Sequence, residues 1–156
     1  LVSTVLNIDN VRTRGIEISF SQKGFLIPNF DQSFNISFMN SKILENERLP
    51  SSVGNRFPRV PNCRLNMLST YHINPQLDTS FGLRYAGSSY NTIPNDDRKD
   101  GFGSQSDFLV MDLKSSYRFK NGITGSFGIN NLNNDKYFVF HPMPQRTFFI
   151  DLKWQF

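Results

Sequence analysis

The chain has 156 residues, 38% of them hydrophobic and 19% charged, with a formal net charge of +4 and a mean hydropathy of −0.40. These values suit a single domain and exclude a spanning helix, because the longest apolar runs, such as Phe25-Leu26-Ile27, fall far short of the ~20 residues a helix needs to cross a bilayer. The 17 Lys and Arg residues are dispersed and never form a run of five, so no nucleic-acid partner is expected.

Seven segments alternate apolar and polar residues with the two-residue period of a strand: 12–22, 32–44, 62–73, 77–90, 107–119, 123–131 and 146–156. Each reaches the roughly 9 to 11 residues that a tilted spanning strand requires. The connections alternate in length. Asn74-Pro75-Gln76 and Lys120-Asn121-Gly122 are tight, and Asn-Gly favours a type I′ turn because both of its central positions take positive φ. Residues 23–31 form an intermediate connection, whereas 45–61, 91–106 and 132–145 are long and rich in Gly, Pro, Asn and charge. Short turns at one end and long loops at the other are the pattern of an outer-membrane barrel, with the short turns in the periplasm.

Parity divides the side chains. One phase carries Ile16, Ile18, Phe20, then Phe34, Ile36, Phe38, then Leu65, Met67, Tyr71, and continues through Phe81, Leu83 and Tyr85, Leu109 to Tyr117, and Phe127. It ends with Phe148, Ile150, Leu152, Trp154 and Phe156. The opposite phase holds Glu17, Arg64, His72, Asp78, Arg84, Asp112, Lys114, Arg118, Asp151 and Lys153. A charge on the lipid face at the bilayer midplane costs about 2–4 kcal/mol, so segregation of this kind is expected where the apolar phase meets hydrocarbon. Phe20, Tyr71, Tyr117, Phe119, Trp154 and Phe156 cluster toward the short-turn side as an interfacial girdle. A soluble β-sandwich or a lipocalin-like barrel also alternates, and parity alone does not distinguish inside from outside. The aromatic end, the loop asymmetry and the girdle favour an apolar face turned outward.

Several residues resemble the TonB-dependent outer-membrane receptors, in the C-terminal part of their barrel. Arg14-Gly15-Ile16-Glu17 is similar to the family's Gly-x-Glu strand opening, and Pro58-Arg59-Val60-Pro61 to its Pro-containing run. Asn131-Leu132 followed by Tyr137 resembles the family's Asn-Leu-x-Asp-x-x-Tyr pattern, with Asn134 in place of Asp. Arg146-Thr147-Phe148 through Phe156 looks like the closing strand. Pro142-Met143-Pro144-Gln145-Arg146-Thr147, with Asn130-Asn131-Leu132 before it, looks closer to the siderophore-type branch than to glycan importers.

The resemblance implies an all-β fold: an antiparallel transmembrane β-barrel segment of about seven strands, part of a barrel of about 22 strands in the outer membrane of a Gram-negative bacterium. It implies import of a ferric siderophore or similar metal chelate. It also implies contact with the TonB complex through an N-terminal plug region that this sequence does not contain. Leu1-Val2-Ser3-Thr4 has no initiator Met or secretory leader and reads as a cut or processed end. Counting residues 1–8 as an eighth strand gives an alternative of a different class, a complete small barrel with a structural or adhesion role.

Site expectations follow. Phe148, Ile150, Leu152, Trp154 and Phe156 are expected to act as the signal that the barrel-assembly machinery reads through strand addition. Arg59, Tyr90, Arg98, Tyr137 and His141, all in outer loops, are the ligand-contact candidates, since guanidinium and phenol groups suit anionic, aromatic chelates. Outer-membrane lipid and lipopolysaccharide are expected partners as well, through rim arginines that bridge phosphates. Lumen charges are expected to pair across strands, with plug contact as the functional extension. His72 and His141 are the only imidazoles and fall at opposite ends, and Cys63 is alone. No catalytic constellation, metal site or cofactor is expected.

Overall fold

The computed structural model describes residues 7–97, 100–120 and 122–156. Among the described residues nine strands run in chain order: β1 (Asn10–Lys23), β2 (Phe30–Glu45), β3 (Cys63–His72), β4 (Leu77–Ala86), β5 (Phe108–Arg118), β6 (Ile123–Asn130), β7 (Phe138–Val139), β8 (His141–Pro142) and β9 (Thr147–Trp154). Seven of them form one antiparallel sheet in the order β1-β2-β3-β4-β5-β6-β9, and β7 pairs with β8 in a small hairpin inside the third long loop. The expected strands fall where the alternation placed them, and their ends differ by a few residues. The segment 77–90 overshoots: β4 ends at Ala86, and Gly87 donates a last backbone hydrogen bond to Cys63 O before the chain turns into its loop.

Strict register explains why alternation in single strands becomes a property of the whole sheet. Ile18 lies opposite Ile36, Ile36 opposite Leu65, Leu65 opposite Tyr85, and Tyr85 opposite Leu109, so one apolar row crosses five strands. Beside it runs Phe20-Phe34-Met67-Leu83-Met111. The Phe20 and Phe34 rings stack with centroids 5.4 Å apart. On the far side, Phe127 faces Ile150 and Ile129 faces Phe148.

This face is open. Ile16 is 67% exposed, Ile18 50% and Ile150 84%. Among the described residues no second sheet covers it, and the buried hydrophobics are Ile43, Val110 and Tyr137 alone. A sandwich or lipocalin would bury these rows in a dry centre; here they form a continuous outer surface. β1 and β9 are the two opposite edges of the sheet, unpaired with one another among the described residues. Of the eighth strand that the small-barrel alternative needs, residues 1–6 lie outside the described residues.

The connections 24–29, 73–76 and 119–122 share one end of the sheet with Phe156. Gly122 takes φ +72° in the last of them, while its partner Asn121 lies outside the described residues. Tyr71, Tyr117, Phe119 and Trp154 stand exposed at this end, with Tyr117 edge-on to Phe119 at 4.8 Å. The first turn is held from beneath by the buried Gln22 side chain. Its Oε1 accepts from Phe25 N at 2.9 Å, and its Nε2 donates to Phe30 O at 3.0 Å.

Gly15 lies opposite Met39, tight against the backbone of β2. A Cβ at this position would stand 2.4 Å from the Phe38 carbonyl oxygen, which is backbone and cannot move aside cheaply. Gly15→Ala is expected to cost the full-length protein about 1–3 kcal/mol in equilibrium unfolding. Gly101→Ala, which meets open space, is the matched control and is expected to change stability by less than about 0.5 kcal/mol.

Candidate functional site: a cationic cleft beneath the outer loops

The three long connections zip together above the sheet. Asn55 Nδ2 donates to Ile93 O at 3.1 Å, Arg56 N to Asn95 Oδ1 at 2.9 Å, and Asn95 Nδ2 returns to Arg56 O at 3.0 Å. Arg59 is locked to the second loop twice, with its N donating to Tyr90 O and its Nε to Asn91 Oδ1, both at 2.7 Å. Its φ of +62° is a left-handed conformation that a long side chain rarely adopts. The second loop in turn pairs with the third: Gly103 N donates to Phe140 O at 2.7 Å, and Phe140 N to Ser104 O at 2.8 Å.

Under this seam a cleft of about 350 Å³ is bounded by Arg59, Arg64, Asn66, Arg84, Gln105 and Phe108. Of its lining residues on β3, β4 and β5, Arg64, Asn66, Arg84, Ala86 and Phe108 belong to the polar phase and Tyr85 alone to the apolar row, so the cleft opens mainly on the face opposite the apolar rows. Arg84 is steadied by Asp112, with Nε to Oδ2 at 3.1 Å and Nη2 to Oδ1 at 3.3 Å. Arg64 makes no ion pair among the described residues. The site therefore has one arginine pinned through loop contacts, one through a carboxylate, and one unmatched. Such a set suits an anion with several oxygen acceptors.

The five ligand-contact candidates separate. Arg59 and Tyr90 come together through the backbone bond above, and the Tyr90 ring also carries the Arg56 guanidinium 5.7 Å from its centroid. Tyr137 is 6% exposed and packs 4.3 Å from Phe108, so it backs the cleft wall from behind. That burial pushes its hydroxyl above the usual phenol range. His141 is exposed in another cluster, 5.2 Å from Phe102 and 4.9 Å from Phe140. Arg98 lies outside the described residues.

The motif around Asn131 has a structural task. β5 pairs with β6 only as far as Leu113 opposite Ile129. Beyond that point one backbone bond remains, Leu132 N to Met111 O at 2.6 Å, and side chains supply the rest: Met111 N donates to Asn133 Oδ1 at 3.0 Å, Asn133 Nδ2 to Leu109 O at 2.6 Å, and Leu109 N to Asp135 Oδ2 at 3.0 Å. Asn131 closes the loop through its Oδ1, which accepts from Asp135 N at 2.8 Å, and its Nδ2, which donates to Pro144 O at 3.2 Å.

Some of the lumen charges pair across strands, as Arg84 and Asp112 do, whereas Arg64, Lys114, Asp151 and Lys153 make no ion pair among the described residues; a further ladder lies near the short-turn end. His72 Nδ1 stands 2.6 Å from Asp78 Oδ1, His72 Nε2 stands 3.1 Å from Asp31 Oδ2, and Arg118 bonds Asp78. Sequence reasoning placed Asp31 in a connection and missed it. The signal was the tight turn itself, which sets His72 directly opposite Asp78.

A seven-stranded antiparallel sheet with an exposed apolar face, a polar charge-paired face and long loops at one end is a segment of a transmembrane β-barrel wall from a Gram-negative outer membrane. The chain belongs to the TonB-dependent receptors: the family profile described as "TonB dependent receptor-like, beta-barrel" matches residues 2–132. A probable TonB-dependent siderophore receptor, PiuA of Acinetobacter baumannii, is 21% identical over 146 residues, covering 88% of this chain and 19% of its own length. The solved structure of PiuA superposes with a TM-score of 0.71 at 18% identity, over 90% of this chain and 20% of that one. The unliganded ferric citrate transporter FecA gives 0.77 at 16% identity, over 90% and 23%. The ferric-catecholate import receptor Fiu from K12 E. coli gives 0.72 at 21%, over 90% and 20%. At these identities the superpositions establish the fold, and the chain spans about a fifth of the length of the relatives it matches.

One loop in this cap is expected to respond to acid through Asp97. Burial works to raise the Asp97 carboxyl, but hydrogen bonds from Asn91 N, Thr92 N and the Thr92 hydroxyl outweigh it and hold the group below the usual carboxylate range. A carboxyl lowered in the folded state gives stability that is present above its unfolded value, near ~4, and lost as pH falls through the folded value. Hydrogen exchange in the full-length protein is expected to show the Asn91 and Thr92 amides losing protection below about pH 4. Asp97→Asn is expected to abolish that pH dependence.

Proposed function

We propose that this chain supplies wall and outer loops to a receptor that imports a ferric siderophore or similar anionic metal chelate, captured from outside and passed inward through TonB-driven movement of a plug. The observation that carries the proposal is the arginine-bounded cleft beneath the interlocked loops. An anionic chelate meets three guanidinium groups there, on the face of the wall opposite the lipid. The strained backbone of Arg59, held by the two short hydrogen bonds it donates to the second loop, supports a functional role, because costly conformations persist where surrounding structure over-determines them. The names of the similar receptors point to the same cargo class.

The lumen ladder of Asp31, His72, Asp78 and Arg118, together with Arg84 and Asp112, is proposed as the surface against which the plug rests. β9 is proposed as the assembly signal. Among the described residues it is an edge strand unpaired on its outer side, and Phe148, Ile150, Leu152 and Trp154 lie exposed along it, with Phe156 exposed just past its end. An assembly factor reading it by strand addition would use that edge for affinity and the alternate aromatic residues for recognition.

Two measurements test this reading. In the full-length receptor, Arg59→Ala and Arg64→Ala are each expected to weaken binding and uptake of radiolabelled iron about tenfold or more. That is the effect of losing one charge-assisted hydrogen bond of ~1.5–3 kcal/mol. The assay uses a panel of ferric citrate, a ferric catecholate and a ferric hydroxamate; unchanged uptake of whichever chelate the parent accepts rejects the cleft as the capture site. Separately, the double change Trp154→Ser and Phe156→Ala is expected to lower the amount of receptor reaching the outer membrane, and a normal level rejects β9 as the signal.

A further inference from the structure

One of the three short connections differs in kind from the other two. The turns after β3 and β5 carry Asn74-Pro75-Gln76 and Lys120-Asn121-Gly122, whereas the turn after β1 reads Gly24-Phe25-Leu26-Ile27-Pro28-Asn29 and contains no charged residue. Phe25 is 84% exposed, Leu26 65% and Ile27 54%. Three adjoining apolar side chains at the tip of a turn that would ordinarily stand in water mark a contact site.

The turn is held in one shape. Gly24 N donates to Phe30 O at 3.1 Å, Phe30 N to Ile27 O at 3.2 Å, and His72 N to Asn29 O at 2.8 Å, which ties the turn to the end of β3. Its direction is set by Gln22. This residue follows Phe20 in the lipid-facing phase and lies opposite Gln32, whose Nε2 reaches Met67 Sδ at 3.8 Å on the same face. A side chain on that open face should stand exposed, as Phe20 does, yet Gln22 is buried. Its Oε1 accepts from Phe25 N at 2.9 Å and from Leu26 N at 3.4 Å, and its Nε2 donates to Phe30 O at 3.0 Å. A side chain that projects outward reaches the backbone of the turn only where the turn folds back over the outer face. Gln22 thus satisfies the polar groups of the turn from beneath and leaves its three apolar side chains uncovered.

We infer that the Phe25-Leu26-Ile27 turn docks into the inner leaflet, at the boundary between phospholipid headgroups and acyl chains, and that Gln22 is the positioning residue that folds it there. Continuity selects lipid over a periplasmic protein. The turn adjoins Phe20 and Phe30 on the lipid-facing phase, Phe30 lies opposite the exposed Tyr71, and Ile73 is exposed just beyond. Aromatic and apolar groups of this kind are at home in the interfacial zone. The charges closest in sequence, Lys23 and Asp31, lie opposite one another with the other parity and leave the outer side neutral. The inference concerns a connection beyond the spanning rows and is independent of the chelate-binding cleft, which lies at the other end of the wall.

The experiment uses the full-length receptor, with Cys63→Ser and any other cysteine replaced, in vesicles of phosphatidylethanolamine and phosphatidylglycerol. A nitroxide is attached at Leu26→Cys or, as the matched turn, at Gln76→Cys, and its collisions with oxygen and with a water-soluble nickel chelate are measured by electron paramagnetic resonance. Heat-modifiable migration on a gel reports that each variant is folded. The Leu26 label is expected to meet oxygen freely and to collide with nickel severalfold less than the Gln76 label. Adding Gln22→Ala is expected to raise the nickel collisions at Leu26 severalfold, toward the value at Gln76. Labels at Phe25→Cys and Ile27→Cys give the same readout should the Leu26 variant fail to fold. Nickel access at the turn equal to that at Gln76 would overturn the inference by placing the turn in water. Shielding from both reagents would overturn it in favour of a covering protein, and an unchanged profile in Gln22→Ala would remove Gln22 as the positioning residue.

Discussion

Every backbone N–H and C=O at membrane depth must find a partner inside the protein, because hydrocarbon offers none. In this chain that requirement is met by one unbroken antiparallel ladder from β1 to β9, and most other features are consequences of it. Once the strands are paired, side-chain parity decides which phase meets lipid, and a one-residue slip would turn every charge of a strand outward. The rows Ile18-Ile36-Leu65-Tyr85-Leu109 on one face and Ser19-Asn35-Asn66-Arg84-Val110 on the other are the same register seen from its two sides.

Where the ladder runs out, side chains substitute for backbone. Asn133 and Asp135 complete β5 after β6 has left it, Gln22 ties the turn after β1, and Asn55 and Asn95 stitch the first loop to the second. Asparagine dominates this work because its amide both donates and accepts and because it tolerates left-handed φ, as at Asn29, Asn95, Asn131 and Asn134. The outer loops thereby extend the sheet as a stitched cap, and Arg59 owes its position in the cleft to that stitching.

The division between what was legible in the sequence and what was not follows from range. Alternation is local, so the seven strands, the lipid-facing phase and the side of His72 could be read from Arg12 onward without knowing which strand pairs with which. Family-like motifs gave the order of the segments. The loop contacts are not local: Asn55 meets Pro94 and Arg56 meets Asn95 across about forty residues, and no spacing rule reports that. The hairpin of β7 and β8 was missed because two-residue strands carry no period. Tyr137 looked like an exposed loop aromatic, and its burial depends on Phe108 arriving from the start of β5. Arg64 and Arg84 were legible as lumen charges, but their convergence with Arg59 required the fold.

Charge is distributed according to what each face can solvate. On the polar face, where another part of the protein or water is at hand, acids and bases occur together, and the described ion pairs, Asp31-His72-Asp78-Arg118 and Arg84-Asp112, all lie there. The lipid-facing phase contains no acid within its apolar rows and keeps its cations to the outer end. The two faces thus answer the same electrostatics differently: pairs such as His72-Asp78 and Arg84-Asp112 tie neighbouring strands together on the polar face, and the apolar rows, with no such partners at hand, carry no charge at all.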